Sequence, residues 1–310
     1  MFDHFVWSVL TVPVVVVALT TLLADRLPPS PAAVVLAWSA AGAALASLLN
    51  LAAFTVKAVA EVPLVAGHLG WSHQTVIDDT AHVRWVPWLC AILLMWSAVG
   101  VRRVVTRNRR ARSMALHLAA AAGHHGVVVV QSAEVEAFAV PGRPGHVVVT
   151  TGMRAILADE QYEALLAHER AHLDQGHPRL MLLSDLAGAA HPVLRWVSDP
   201  VSYLVERAAD EHAASMVGDR RILAQAIGTA ALAAGGRPLL ESGSLASFAM
   251  SRRPGAIPRR VTALLGLQAR KRRLWPAAIP AVLAVSSLVW TGEALYDLVE
   301  LLVLAHGAHR

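Results

Sequence analysis

Long uncharged hydrophobic stretches alternate with polar segments along this chain of 310 residues. A helix needs roughly 20 consecutive apolar residues to cross a bilayer. Four stretches approach or exceed that length, and we predict a transmembrane helix in each, at about 5–24, 32–56, 85–101 and 274–292. A fifth apolar stretch, Met181–Trp196, is interrupted by Ser184 and Asp185, which favours a buried or membrane-skimming helix over a fifth span.

The region between the third and fourth stretches has the mixed pattern of a folded domain. β-branched runs at 126–131 and 146–151 predict strands, and a Pro-Gly-rich turn separates them. Helical patterns follow at 159–174, 201–217 and 221–234, and an earlier one covers 113–123. We therefore predict an α-helical polytopic membrane protein with an α+β domain inserted between the third and fourth transmembrane helices. The predicted units are 1–103 with an external loop at 57–84, the domain at 104–273, and 274–310 with the fourth span and a short external amphipathic tail.

Charge supports the membrane reading and predicts an orientation. Only 16% of the residues are charged, whereas soluble domains carry roughly 25%. Arginines cluster directly after the third stretch, at 102–112, and directly before the fourth, at 252–273. Basic residues next to spans stay on the cytoplasmic side, so the inserted domain is expected in the cytosol and both termini outside. Nucleic acid is a weaker explanation for these arginines, and the lipid bilayer is the expected partner.

One short motif carries the chemistry. In His168-Glu169-Arg170-Ala171-His172, the two histidines are four residues apart. On a helix they face the same way, so two imidazoles can bind one metal ion, and Glu169 can take a proton from a metal-activated water. A bare match of five residues also arises by chance on exposed helices. The helical context and the Glu-x-x-x-Asp pair described next favour a metal site.

Glu206 and Asp210 follow on a second predicted helix. A catalytic zinc takes three protein ligands and keeps one position open, and Glu206 is the predicted third ligand. Asp210 lies one turn further on and is predicted to hold the outer nitrogen of a ligand histidine. We thus predict one Zn²⁺ per chain, bound by His168, His172 and Glu206. Other histidines are weaker ligand candidates: His177 follows the glycine that ends the helix, and His191 and His212 are expected to be surface or core residues.

Three segments resemble a known group of enzymes. Ala137-Phe138-Ala139-Val140-Pro141, then 146–152, then 163–172 resemble the core of membrane gluzincin peptidases. Asp199-Pro200 before Glu206–Glu211 resembles the third-ligand helix of the BlaR/MecR-type peptidases. In that family three spans precede a cytosolic zinc domain and a fourth follows it. Peptidases of the HtpX and CAAX-processing types share the motifs with another arrangement of spans.

The resemblance implies an endopeptidase that cuts a cytosolic protein, typically a transcriptional repressor, and so acts in signal transduction. The family also has a later arginine that contacts the substrate or the transition state, and here that role would fall on Arg259 or Arg260. Glu136 replaces an asparagine common in related peptidases, which puts any substrate contact at that position in doubt. The receptors continue into a penicillin-binding sensor domain after the last span, whereas this sequence ends at Arg310, so we do not expect β-lactam sensing by such a domain.

Substrate docking and two other functions complete the expectations. A substrate is expected to pair as an extra strand along His146, Val147, Val148, Val149 and Thr150. An HtpX-like quality-control protease would use the same chemistry on broader substrates. A non-hydrolytic adaptor with structural zinc is the other alternative, and Glu169 argues against it.

Acidic residues at 293, 297 and 300 share a helix face. We interpret them as a solvated face rather than as an external sensor or cation site.

Overall fold

The computed structural model describes residues 2–78, 83–120, 126–142, 145–234, 256–266 and 273–307. It is mostly helical. Among the described residues, four helices have the length and composition to cross a membrane, and each coincides with one of the apolar stretches. Their bounds are Phe2–Leu23, Pro29–Ala60, Trp85–His117 and Trp275–Gly307.

Each of the four spans has a distinct build. The first consists of α1 (Phe2–Phe5), a π-helical segment (Val6–Thr11) and α2 (Val12–Leu23). The second is α3 (Pro29–Ala60), which begins at a proline after an extended residue. The third lies in α6 (Trp85–Ala120), and the fourth is a 3₁₀ turn (Trp275–Ala277) that leads into α13 (Ala278–Gly307). Two short helices, α4 (Pro63–Leu69) and α5 (His73–Asp78), lie between the second and third.

The third span and the first helix of the inserted region form one continuous helix. The sequence predicted a span at 85–101 and a separate helix at 113–123, but α6 runs from one into the other. Arginine is a good helix former, so the change from apolar to basic side chains after Val101 changes the surface of the helix without ending it. Positions 121–123 of the predicted 113–123 helix lie outside the described residues.

The inserted region contains three strands and six helices among its described residues. The strands are β1 (Val127–Val130), β2 (Ala137–Val140) and β3 (His146–Thr150). The helices are α7 (Thr151–Ile156), α8 (Asp159–Asp174), α9 (His177–Ala190), α10 (Ser198–Val217), α11 (Arg220–Ala234) and α12 (Ala256–Leu265), with a 3₁₀ turn (Pro192–Val197) between α9 and α10.

The strands form a sheet of order β1-β3-β2, with β1 parallel and β2 antiparallel to the central β3. This overturns the predicted substrate strand, which was His146, Val147, Val148, Val149 and Thr150. Those residues constitute β3, which is paired on both sides, and Val148 is buried in an apolar cluster. A substrate strand needs an unpaired edge, and the edge next to α8 belongs to β2.

A hairpin made of α9, the 3₁₀ turn and α10 packs among the spans. Ala190 at the end of α9 accepts a hydrogen bond from Ser97 Oγ of α6 at 2.7 Å, and His191 Nε2 lies 2.9 Å from the carbonyl of Val9 in the first span. The same contacts bring the carbonyl of Ala189 so close to Gly100 that a Cβ there would lie 2.8 Å from it. The apolar stretch Met181–Trp196 therefore forms the tip of a hairpin that reaches between the spans, and not a fifth span.

The link between the first two spans lies at the same end of the bundle as the inserted region. Ser30 Oγ donates to Gln175 Oε1 at 3.2 Å, just after α8 ends. Asp25 forms an ion pair with Arg259 of α12. Because the hairpin α9–α10 also enters the bundle from this end, the inserted region is joined to the spans by packing as well as by the chain.

Candidate metal centre

The two motif histidines lie on the buried side of α8. The apolar positions Ala164, Leu166 and Ala171 of this helix point into the fold, and His168 and His172 share that side at 6% and 9% exposure. Their Nε2 atoms lie 3.2 Å apart. One helical turn separates the two residues, so the rings converge on a single point, as the sequence predicted.

Glu206 of α10 completes the group. Its Oε2 lies 3.5 Å from Nε2 of His168, and its Oε1 lies 3.7 Å from Nε2 of His172. One ligand atom from each of His168, His172 and Glu206 falls within 4.8 Å of the others, so the three buried side chains could hold one metal ion. Two imidazoles and a carboxylate are a donor set that suits zinc with an open position.

Asp210 and Arg260 lie behind His168 and Glu206, on the side away from the point where a metal would bind. Asp210 Oδ1 lies 3.0 Å from Nδ1 of His168, the nitrogen that faces away from the ligand atoms. Arg260 of α12 donates to both oxygens of Asp210, at 2.7 and 2.9 Å, and its Nη1 lies 2.8 Å from Glu206 Oε2. The arginine thus holds the carboxylate that would bind metal and the carboxylate that faces Nδ1 of His168.

The electrostatics of the centre suit a divalent cation. Burial opposes ionisation of Asp210 and Glu206, but the charge of Arg260 outweighs it and holds both pKa values well below their ordinary range. With Glu169 ionised as well, three buried carboxylates face one guanidinium, which leaves an excess of two negative charges when the histidines are neutral. A divalent ion would neutralise that excess.

The pKa values of His168 and His172 are shifted in opposite directions. Burial opposes protonation of His168, but its contacts with Asp210 and Glu206 outweigh burial and raise its pKa to about 10. Burial lowers the pKa of His172 to about 3. His168 Nε2–H can then donate to the lone pair on His172 Nε2, so the two ring nitrogens share one proton at the place where a metal would bind.

Glu169 is buried, at 5% exposure, next to the ligand histidine. Burial raises its pKa to about 7, and the backbone of Ala139 in β2 forms a hydrogen bond with the carboxylate. A carboxyl group with a pKa near neutrality can both accept and return a proton. This is the property that a general base in hydrolysis needs.

His177 is a part of the centre that the sequence analysis missed. Its Nδ1 lies 3.0 Å from Nδ1 of His172, and its side chain is buried. Gly176, with φ of +66°, ends α8 and turns the chain so that the first residue of α9 returns to the motif. The spacing of five residues is not a helical contact, so only the glycine after the motif could have pointed to this residue.

The two candidate arginines separate. Arg260 lies in the centre, whereas Arg259 points to the other side of α12 and pairs with Asp25. The sequence left the choice between Arg259 and Arg260 open, and the geometry favours Arg260.

Glu136 precedes β2, and its backbone, rather than its side chain, makes the described hydrogen bonds with Thr150.

Buried histidines and a carboxylate arranged for a metal, with a buried glutamate beside them and spans around them, are typical of a membrane-associated metallopeptidase. Residues 105–194 match the model of Peptidase family M48. This match supports a metallopeptidase of family M48, a hydrolase, and covers His168, Glu169 and His172; Glu206 lies beyond it. No curated protein and no solved structure matches the chain.

Proposed function

We propose that this chain is a multi-pass membrane, zinc-dependent endopeptidase that cuts a protein on the cytosolic side of the membrane, in a regulatory role such as removal of a transcriptional repressor. The observation that carries the proposal is the buried Glu169 beside His168, His172 and Glu206. A metal held only for structure would not need a buried carboxylate with a pKa near 7 at this position.

The residues divide the chemistry among them. Zinc held by His168, His172 and Glu206 would activate water and polarise the scissile carbonyl. Glu169 takes a proton from the attacking water and returns it to the leaving amine. Asp210 keeps the Nδ1 proton on His168, so that Nε2 presents its lone pair to the metal.

The substrate, we propose, pairs with β2 rather than with β3. The amide of Thr150 donates to the carbonyl of Glu136, and in an antiparallel pair the bonded residues alternate. The backbone groups of Ala137 and Ala139 therefore point away from β3, and Ala139 contacts Glu169. A peptide that extends the sheet here would pass directly over the catalytic carboxylate. Ala137→Pro removes one outward N–H and should slow cleavage while leaving the metal content unchanged; equal cleavage would contradict pairing at β2.

The fold and the topology are part of the same proposal. A gluzincin-like domain inserted between the third and fourth spans accounts for a strand beside the motif helix and for the ligand Glu206 on a later helix. The arginines of α6 after the third span favour a cytosolic position for this domain. Cysteine substitution at exposed Arg170 and labelling of intact cells with an impermeant thiol reagent would test it, because a cytosolic residue stays unlabelled until the membrane is opened.

Cleavage is tested by comparing new protein N-termini in cells that carry wild type, Glu169→Gln or Glu163→Gln. Glu163 is exposed on the same helix, so its variant controls for a lost carboxylate on α8. We expect one product that depends on Glu169 and not on Glu163. Many products from unfolded substrates would favour the HtpX-like quality-control role, and a purified protein that retains zinc but cuts no substrate would favour the adaptor.

A further inference from the structure

An open cleft lies where the turn after the first span meets α10 and α12. Its volume is about 380 Å³, and its polar lining comes from Asp25, Tyr203, Arg207, Arg259 and Thr262. Asp25 follows the end of the first span by two residues. Tyr203 packs into the apolar cluster that α2, α3 and the α9–α10 hairpin share. The cleft is therefore at the level where the spans end, on the side of the metal centre.

Two guanidinium groups converge on one aromatic ring in this cleft. Arg259 lies 4.4 Å and Arg207 5.6 Å from the centre of the Tyr203 ring. Arg207 is held in place by burial, at 4% exposure. Asp25 supplies a carboxylate to the lining, and Arg259 Nη2 reaches its two oxygens at 2.8 and 2.6 Å. Among the described residues, the lining thus combines two guanidinium groups with one carboxylate.

The position of the cleft near the ends of the spans favours the phosphate of a lipid headgroup over other anions. Large apolar side chains near this end of the spans, Leu22 and Trp275, are exposed at 62% and 65%. Side chains of this kind contact lipid when the spans cross a bilayer, and aromatic residues are typical of the headgroup level. Basic pockets between helices on the side with excess Lys and Arg bind the phosphates of anionic lipids.

We propose that this cleft binds the phosphate group of an anionic phospholipid, with Arg207 and Arg259 as its ligands. Guanidinium groups recognise phosphate oxygens through paired N–H donors. The Asp25–Arg259 pair does not block the site, because both side chains are half exposed, at 57% and 50%, and exposed ion pairs contribute little stability. Phosphate can therefore replace the carboxylate on Arg259. The proposal requires that the spans lie in a membrane and is independent of the proposed cleavage.

Bound lipid would act on the helix that carries Arg260. Arg259 and Arg260 are neighbours on α12 and point to the cleft and to the metal centre respectively. On α10, Arg207 follows the ligand Glu206 directly. The occupied cleft would therefore hold α10 and α12 together on the side away from the metal.

The test uses the purified full-length protein in neutral detergent, with retained lipid measured by native mass spectrometry. Phosphatidylglycerol and phosphatidylcholine are the two probes, and inorganic phosphate is the competitor. Wild type should retain phosphatidylglycerol over phosphatidylcholine. Arg259→Gln should lower that retention about fivefold, the scale of one basic residue at an anionic surface. Arg221→Gln, an exposed arginine of α11 away from the cleft, should match wild type.

Asp25→Asn makes the test independent of folding, because it should change retention in the opposite direction. Removal of the carboxylate releases Arg259 for the lipid, so this variant should retain more phosphatidylglycerol than wild type. Displacement of the lipid by inorganic phosphate would support recognition through the phosphate group. The proposal is overturned if Arg259→Gln retains as much lipid as wild type, if Asp25→Asn retains less, or if the protein binds inorganic phosphate but no phosphatidylglycerol.

Discussion

Asp210 Oδ1 lies 3.0 Å from Nδ1 of His168, on the side of the ring opposite the ligand nitrogen. This contact begins a chain of polar groups through the centre. The Nε2 atom of His168 faces that of His172 at 3.2 Å, and Nδ1 of His172 faces Nδ1 of His177 at 3.0 Å. Asp210 faces a protonated Nδ1 of His168, and one proton lies between the two Nδ1 atoms of His172 and His177. With these nitrogens turned outward, both Nε2 atoms are directed at the same point.

Asp210→Asn is expected to weaken metal binding. The amide keeps the size of the side chain but gives up the charge that stabilises the Nδ1 proton of His168. Loss of such a partner typically costs 10–100-fold in metal affinity or activity, and zinc competition with a chelator measures it. Glu211→Gln is the control, because this neighbour on α10 pairs with Arg220 outside the centre. Equal affinity of the Asp210 variant and wild type would show that His168 does not need this contact.

His177→Phe is expected to weaken metal binding as well, and to leave the fold intact. Phenylalanine fills the buried position but cannot accept the Nδ1 proton of His172, so this histidine loses the contact that selects its tautomer. We expect about tenfold weaker zinc binding, at the low end for such a partner. His117→Phe changes an exposed histidine on α6 and serves as the control. Unchanged affinity would leave His177 with a packing role only.

The motif helix and its partner helix were predictable because their signals are local. The pairs His168 with His172 and Glu206 with Asp210 each lie one helical turn apart, so a spacing of four residues is enough to orient them. The contacts of His177 and Arg260 could not be predicted from the sequence, because a turn at Gly176 and the packing of α12 create them. The central place of β3 in the sheet was missed for the same reason, since strand order depends on contacts that are distant in the sequence.

The affinity for zinc should rise with pH. The pKa of His168 is raised to about 10, so below that pH a metal must displace its proton. His172 and Glu206 have lowered pKa values and are already neutral and ionised near pH 7, so they release none. Between pH 7.5 and 9 the binding constant should therefore increase about tenfold per pH unit, the slope for one displaced proton.

Glu169→Gln is the control variant for that slope, because Glu169 has a pKa of about 7 and adds part of a second proton at lower pH. The variant should hold a slope of one proton down to about pH 6, measured by chelator competition at each pH. An affinity that does not change with pH would mean that His168 is neutral before the metal binds, and would contradict the pKa shift.

Arg260→Gln should destabilise the folded chain. The guanidinium compensates Asp210 and Glu206, and all three side chains are buried. Removing one partner of a buried ion pair typically costs about 3–5 kcal/mol, so thermal unfolding in detergent should begin at a clearly lower temperature. Added zinc should recover part of the loss, because it supplies positive charge to the same carboxylates. Arg221→Gln should unfold like wild type, and an Arg260 variant that does the same would show that the carboxylates are compensated elsewhere.

Gly100→Ala tests whether the hairpin of α9 and α10 is held against the third span. A Cβ at this position would lie 2.8 Å from the carbonyl oxygen of Ala189, which belongs to a helix backbone and cannot rotate away. Overpacking of this kind typically costs about 1–3 kcal/mol. Gly100 contacts the end of α9 that is far from the metal centre. A shift of the hairpin should nevertheless weaken zinc binding, because α9 begins at His177 and α10 carries Glu206. Ala98→Val adds volume at an exposed position of the same helix and should change neither property. Full zinc affinity and wild-type thermal stability in Gly100→Ala would show that the hairpin does not depend on this contact.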